Sequence, residues 1–355
     1  MNFRFKYKEP PETGNKYRKE YLDGIDRLIE KRYEQAEKNR RDYIKNITEQ
    51  PEKYREELKA MLGWPLTGEP NLSYEVKKEF VTEDNGVKIY RMQTIILGGL
   101  PMYGMLFIKN ESPDTPMVIA SHGGLGAPEL CSGLLEIGTI NYHNMVERVL
   151  KHNVNIYAPQ YLNWHTERFK IAEENMERRA DYSFRGVRDA NLQQLGSSIS
   201  AIEIFGVMRS VDYLIESKIC LEDRIGMIGL SYGGFYTLYT TAIDTRIKAA
   251  VSFCYYSDMK EKTKTSFRDW VWKNAANTFF DSEVLALVYP RKIDIYMGDK
   301  DELFDFEISK KEFEKFKKVL EEKADFASHF VFDGTHEVIK NDDSMIDRLI
   351  ERISE

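Results

Sequence analysis

Ser231 lies in the run Gly229-Leu230-Ser231-Tyr232-Gly233-Gly234, between an apolar stretch and a helix-favouring one. A serine hydroxyl is a weak nucleophile until a base takes its proton and the backbone holds it exposed. A short strand that turns abruptly into a helix can hold it so. The turn crowds the backbone, so the positions two before and two after the serine must be small, and Gly229 and Gly233 meet that need. The helix start adds free N–H groups and a partial positive charge beside the reacting oxygen.

Such a serine needs a base, and the base needs an orienting carboxylate. Open α/β sheets collect functional groups beyond the C-terminal ends of their strands. After the apolar run 293–297 comes Gly298-Asp299-Lys300-Asp301-Glu302-Leu303-Phe304, and after 328–332 comes Asp333-Gly334-Thr335-His336-Glu337. His336 follows a glycine in a loop, where an imidazole can swing over the serine, and is the candidate base; His329 lies inside the strand. Asp301 is the candidate carboxylate, placed before the apolar anchor Leu303-Phe304, with Asp299 in reserve. The order serine, aspartate, histidine is that of a hydrolase with a strand–turn–helix nucleophile.

Attack on a carbonyl also requires donors for the oxyanion. The Tyr232 N–H is one. The second is expected from Ser121-His122-Gly123-Gly124-Leu125-Gly126, where Gly124 is the first choice and Gly123 the alternative. His122 is expected to fix this loop by hydrogen bonds.

The elements that position these groups follow from the residue pattern. From residue 116 onwards apolar strand runs alternate with helical ones: strands at 117–121, 154–159, 225–230, 247–253, 293–297 and 328–332. Helices are expected near 141–151, 192–217, 232–242, 306–322 and 345–353. This alternation predicts an α/β fold with a mainly parallel sheet and helices on both faces. Runs at 74–81 and 87–96 flank Asn85-Gly86, a strong hairpin signal, and a third strand follows at 101–108. Their links are too short for crossovers, so these first strands should pair antiparallel.

Residues 1–70 read as a separate helical arm ahead of a catalytic domain at 71–355. Tyr17, Tyr21, Ile25, Leu28, Ile29 and Tyr33 recur at spacings of three and four, one apolar stripe on a helix from about 16 to 46. A shorter helix follows Pro51 and ends at Gly63. The arm is expected to brace the main domain; its functional readings are a contact between copies of the chain or one wall of the substrate cleft. Two insertions, about 160–188 and 257–289, are placed to shape a pocket. Trp164 there can stack on a sugar ring, Arg168 can pair with a carboxylate or hold its loop, and Tyr255 lies after a strand end.

The 355 residues suffice for a large core, and a net charge of −7 with mixed signs argues against nucleic acid or an anionic membrane as partner. No apolar run reaches the length of a membrane span. Three scattered cysteines form neither a metal-ligand spacing nor a disulfide framework, and a cytoplasmic location is the default.

Taken together, His122-Gly123-Gly124, the Ser231 turn, Asp244-Thr245-Arg246-Ile247, Tyr289-Pro290-Arg291, Gly298-Asp299-Lys300-Asp301 and Gly334-Thr335-His336-Glu337 resemble the α/β-hydrolase superfamily. Val211-Asp212-Tyr213-Leu214 fits as well. The resemblance covers about 70–355 and looks closest to the dienelactone hydrolase and acetyl xylan esterase-like branch. It implies Ser231 as nucleophile, Asp301 as acid, His336 as base, and cofactor-free hydrolysis of a small-molecule carboxylic ester, often an acyl group on a sugar. Ser231-Tyr232-Gly233-Gly234 also resembles the prolyl oligopeptidase family, which keeps a peptidase reading open, although there is no repeat that could form that family's propeller. A binding module of the same fold without catalysis is the third reading.

Overall fold

The computed structural model describes residues 6–64, 74–162, 182–262 and 270–355. Among these residues nine strands form one sheet in the order β1-β2-β3-β5-β4-β6-β7-β8-β9. β1 (Glu75–Asp84), β2 (Val87–Ile96) and β3 (Leu100–Ile108) are an antiparallel meander turned at Asn85-Gly86, and β3 also runs antiparallel to β5 (Asn155–Pro159). The rest is parallel: β4 (Met117–Ser121), β6 (Ile225–Leu230), β7 (Ile247–Phe253), β8 (Lys292–Gly298) and β9 (Ala327–Phe332). β4, β5 and β6 are buried along their whole length, as expected for strands covered on both faces. The α/β class, the parallel sheet and the antiparallel first strands all agree with the expectations from sequence.

Helices cover both faces. In chain order they are α1 (Asn15–Glu49), α2 (Pro51–Leu62), α3 (Pro128–Cys131), α4 (Met145–Val149), α5 (Tyr182–Gln194), α6 (Ile199–Glu216), α7 (Tyr232–Ile243), α8 (Met259–Lys262), α9 (Asp281–Ala286), α10 (Phe306–Leu320) and α11 (Ser344–Ser354). Met345, Ile346, Leu349 and Ile353 of α11 join Met145, Val146 and Val149 of α4 in a core on one face. The opposite core is larger. It holds Phe235, Tyr236 and Tyr239 of α7 together with Ile44 and Ile47 of α1 and Tyr54, Leu58 and Leu62 of α2. The last part of the arm thus shares the main core. Arg55 extends the attachment by donating to the carbonyls of Ala242 (2.9 Å) and Leu287 (3.2 Å).

Two expected helices differ. The run 192–217 is two helices, broken where Gly196 takes a left-handed φ of +85°. There Ser198 caps α6 by accepting from Ala201 N (3.1 Å) and donates to the Leu62 carbonyl (2.7 Å). The break is a docking point for the end of α2, which periodicity alone cannot reveal. Residues 141–151 form a 3₁₀ turn at Ile140–Tyr142 and then only the five-residue α4. Left-handed His143 and Asn144 separate the two.

Candidate active site

Ser231 sits between β6 and α7 with φ 59° and ψ −116°, a backbone conformation that L-residues rarely adopt. The strain is held from both sides: Ser231 N donates to Phe253 O (2.8 Å), and Ser231 O accepts from Phe235 N (2.9 Å). A side chain on Gly229 would meet the Gly233 backbone, and one on Gly233 would meet the Ser121 carbonyl. The two glycines are therefore required by close backbone approach. The serine itself is half-buried at the head of α7.

Across the same sheet edge, His336 Nδ1 lies 2.8 Å from Asp301 Oδ2. The other carboxylate oxygen accepts from Leu303 N (2.8 Å) and Phe304 N (3.0 Å). Burial pushes the Asp301 carboxyl up, but the bond and charge of His336 and the two backbone donors outweigh it and hold it below its ordinary value. Phe304 stacks on the imidazole, with ring centroids 5.6 Å apart and planes 15° off parallel. The neighbouring carboxylates have other tasks. Asp299 accepts from Gly334 N (3.0 Å), and Asp305 caps α10. His329 bonds Ser309 Oγ (2.9 Å) instead of reaching the loop.

The Gly123-Gly124 turn follows β4. His122 is buried beneath it, its Nε2 accepting from Tyr161 N (3.0 Å) and its Nδ1 2.7 Å from Gly123 O. This pairing fixes the Nδ1–H tautomer, and burial lowers the imidazole pKa to about 4, so it stays neutral. Gly123 N donates to the Tyr142 hydroxyl (2.8 Å). The same short segment reaches the histidine loop: Asn141 Nδ2 donates to His336 O (3.1 Å), and Val338 N donates to Asn141 O (2.9 Å). Residues 139–143 therefore brace both the glycine turn and the histidine loop. The sequence reading assigned this segment to a helix and missed its role.

Three further residues escaped the sequence reading. Arg185 of α5 pairs with Glu203 (3.3 Å), donates to Tyr236 Oη (2.8 Å) and sits 5.4 Å from the Tyr232 ring centre, next to the Ser231 turn. Cys254, the residue after β7, is buried with φ 51°, and its Sγ faces the Asp301–His336 pair. Its position just past a strand end was a readable signal. Among the described residues, Cys254, Asp301 and His336 offer ligand atoms within 4.8 Å of one another, but Asp301 and His336 already engage each other and Cys254 lies 3.5 Å from Glu337 O. Lys262 points its ammonium at Tyr255 and Phe304 (3.9 Å each) and Trp270 (4.4 Å), and burial lowers its pKa to about 7.

Of the expected substrate residues, Trp164 and Arg168 lie outside the described residues. Tyr255 is fully buried and donates to Asp281 Oδ1 (2.9 Å), so it is a packing residue of the layer behind Phe304 and not an open pocket wall. Trp270, Trp272, Phe279 and Phe280 are buried in the same way. Trp270 packs against the Tyr232 ring, 4.8 Å between centroids.

No protein-family model matches the chain. A segment of 113 residues is 31% identical to the Bacillus subtilis (strain 168) protein named "Putative hydrolase YtaP", covering 30% of this chain and 38% of that protein. Solved structures are similar over far more of the chain. A glucuronoyl esterase from Solibacter usitatus superposes with a TM-score of 0.60 at 13% identity, covering 84% of this chain and 92% of that one. A Bacteroides fragilis structure titled "putative acetyl xylan esterase" gives 0.61 at 14% identity, covering 86% and 83%. Among the described residues no helix is long and apolar enough to cross a membrane. The sheet order, the serine turn at the end of β6 and these neighbours establish that the chain has the α/β-hydrolase fold.

Proposed function

We propose that the protein is a serine carboxylic-ester hydrolase that releases a small acyl group, acetyl-like in size, from a carbohydrate or other small-molecule ester. The observation that carries this reading is the 2.8 Å Asp301–His336 pair on the loops after β8 and β9, at the same sheet edge as the strained Ser231 turn. His336 Nε2 takes the Ser231 proton while Asp301 holds Nδ1–H and stabilises the imidazolium that forms. Ser231 Oγ attacks the acyl carbonyl. The oxyanion is held by the N–H of Tyr232, at the head of α7, and by that of Gly124, since the Gly123 N–H is directed to Tyr142. His336 then protonates the leaving alcohol, and a water activated by the same imidazole releases the acid.

The substrate class draws on the neighbours, whose titles name a glucuronoyl esterase and an acetyl xylan esterase. A rate panel tests the reading: p-nitrophenyl acetate, butyrate and octanoate beside a proline-linked p-nitroanilide, with Ser231→Ala as the blank. Fast acetate turnover that falls with chain length and vanishes in Ser231→Ala is expected. Anilide turnover rivalling the esters would replace the esterase by a peptidase. Silence throughout, with no labelling by a serine-reactive phosphonate, would leave a binding module.

A further inference from the structure

Among the described residues the second half of α1 is packed into the core, and the first half is tied to the body near its end, where Glu30 pairs with Lys260 (2.5 Å). Ala36, Arg40, Ile44 and Ile47 are buried, whereas the first half exposes Tyr17 (70%), Tyr21 (74%), Leu22 (60%), Ile25 (37%), Leu28 (51%) and Ile29 (48%). Six large apolar side chains bared within thirteen residues are more than scattered surface hydrophobics. Surface pairs such as Lys19–Asp23 hold the opposite side of the helix.

The stripe has an internal symmetry that is completed by Tyr33, which is half-buried against the main core. From Tyr17 to Tyr33 its apolar residues are separated by four, one, three, three, one and four positions, a series that reads the same in both directions about Ile25. On a helix of 3.6 residues per turn, reversing the chain direction about Ile25 lays Tyr17 on Tyr33, Tyr21 on Ile29, Leu22 on Leu28 and Ile25 on itself. An isologous twofold contact requires such a self-complementary patch. We propose that this face binds the same face of a second copy of the chain, with the two arms antiparallel and the twofold axis passing at Ile25.

The size is appropriate. At roughly 200 Å² for a fully exposed large side chain, the stripe offers about 600 to 700 Å² per copy, close to the ~800 Å² per partner of a specific interface. Arg18 and Arg32 obey the same symmetry and lie at the two ends of the face, where their stems can cover apolar surface while their charged heads reach water. Because these two charges have the same sign, the contact is apolar in origin, and added salt should not dissolve it. Acidic and basic side chains are interspersed around the rest of this half-helix, unlike the basic polar face that an anionic lipid surface selects. The contact would also set Tyr17 of the partner subunit beside Tyr33, whose ring lies 5.5 Å from Lys260 of α8, two residues before Lys262.

Sedimentation of the full chain at micromolar concentration, combined with single-cysteine cross-linking, tests both the partner and the register. The native chain should sediment at twice its monomer mass, in low and high salt alike. Ile25→Glu sets two carboxylates against each other across the axis and should halve that mass while the variant keeps the native circular dichroism and a single cooperative unfolding transition. The native cysteines are all buried, so an introduced thiol is the reactive one. Ile25→Cys should oxidise to a covalent dimer. Tyr17→Cys should not, because antiparallel arms hold the two copies of residue 17 about 24 Å apart. A monomeric native chain, a dimer that survives Ile25→Glu, equal cross-linking of both cysteine variants, or flotation of the native chain with anionic vesicles would each overturn the proposal.

Discussion

Asp301 gives one carboxylate oxygen to His336 Nδ1 and the other to the N–H groups of Leu303 and Phe304. The acid is thus oriented by its own chain before it meets the histidine, and Phe304, one of its donors, also supplies the ring that stacks on the imidazole. Tautomer and ring plane of the proposed base are set by one turn of chain.

This arrangement makes Asp301→Asn a sharp test. The amide preserves the shape but can present N–H to Nδ1, which moves the imidazole proton to Nε2, where the serine proton must arrive. Expected is a loss of kcat of about 10⁴-fold with little change in unfolding midpoint. A loss below tenfold would remove Asp301 from the proposed mechanism.

Tyr142→Phe removes the acceptor of the Gly123 N–H and loosens the Gly123-Gly124 turn. If Gly124 is an oxyanion donor, kcat on p-nitrophenyl acetate should fall by about tenfold while KM changes little, since the interaction is made chiefly in the transition state. A change confined to KM would place this turn in substrate binding.

His122 and His329 are both held neutral by burial, with pKa values of about 4. In the unfolded chain each takes up its proton near pH 6.5. Between about pH 6.5 and 4 the unfolded state therefore binds more protons than the folded one, so stability falls as pH falls through that window. Urea unfolding at pH 7 and pH 5 should show the loss, and His329→Asn should shrink it. An unchanged pH dependence in His329→Asn would show that this imidazole is protonated in the folded protein.

The seam between arm and body holds a buried ion pair. Arg40 Nε lies 3.4 Å from Glu283, its guanidinium lies 4.0 Å from the Phe280 ring centre, and it donates to the Ala276 carbonyl. Burial raises the Glu283 carboxyl to about 8 even with the Arg40 charge opposing. Arg40→Met leaves that carboxyl without its cation and should destabilise the protein by about 3 kcal/mol above pH 8, where Glu283 is charged, and by less at pH 7, where it takes up a proton, read by urea unfolding at both pH values. A cost under about 1 kcal/mol would mean that the pair holds the arm only weakly.

The order of strands and helices, the tight Ser231 turn and the apolar stripe of α1 were legible in the sequence because they rest on local rules. Side-chain periodicity follows from backbone geometry, and the small residues around Ser231 follow from the crowding of one turn. Choices among near neighbours were decided by contacts between distant segments. Asp301 and Asp299 are chemically alike and two positions apart; what separates them is that one carboxylate reaches His336 and the other Gly334 N. Gly123 differs from Gly124 through a tyrosine hydroxyl nineteen residues away. The break before α6 exists where the end of α2 docks, and Tyr255, a plausible pocket wall by position, is buried by Trp270 and Phe304 from other loops. Such outcomes depend on which strand ends the sheet order brings together, and the sheet order is a property of the whole packed chain.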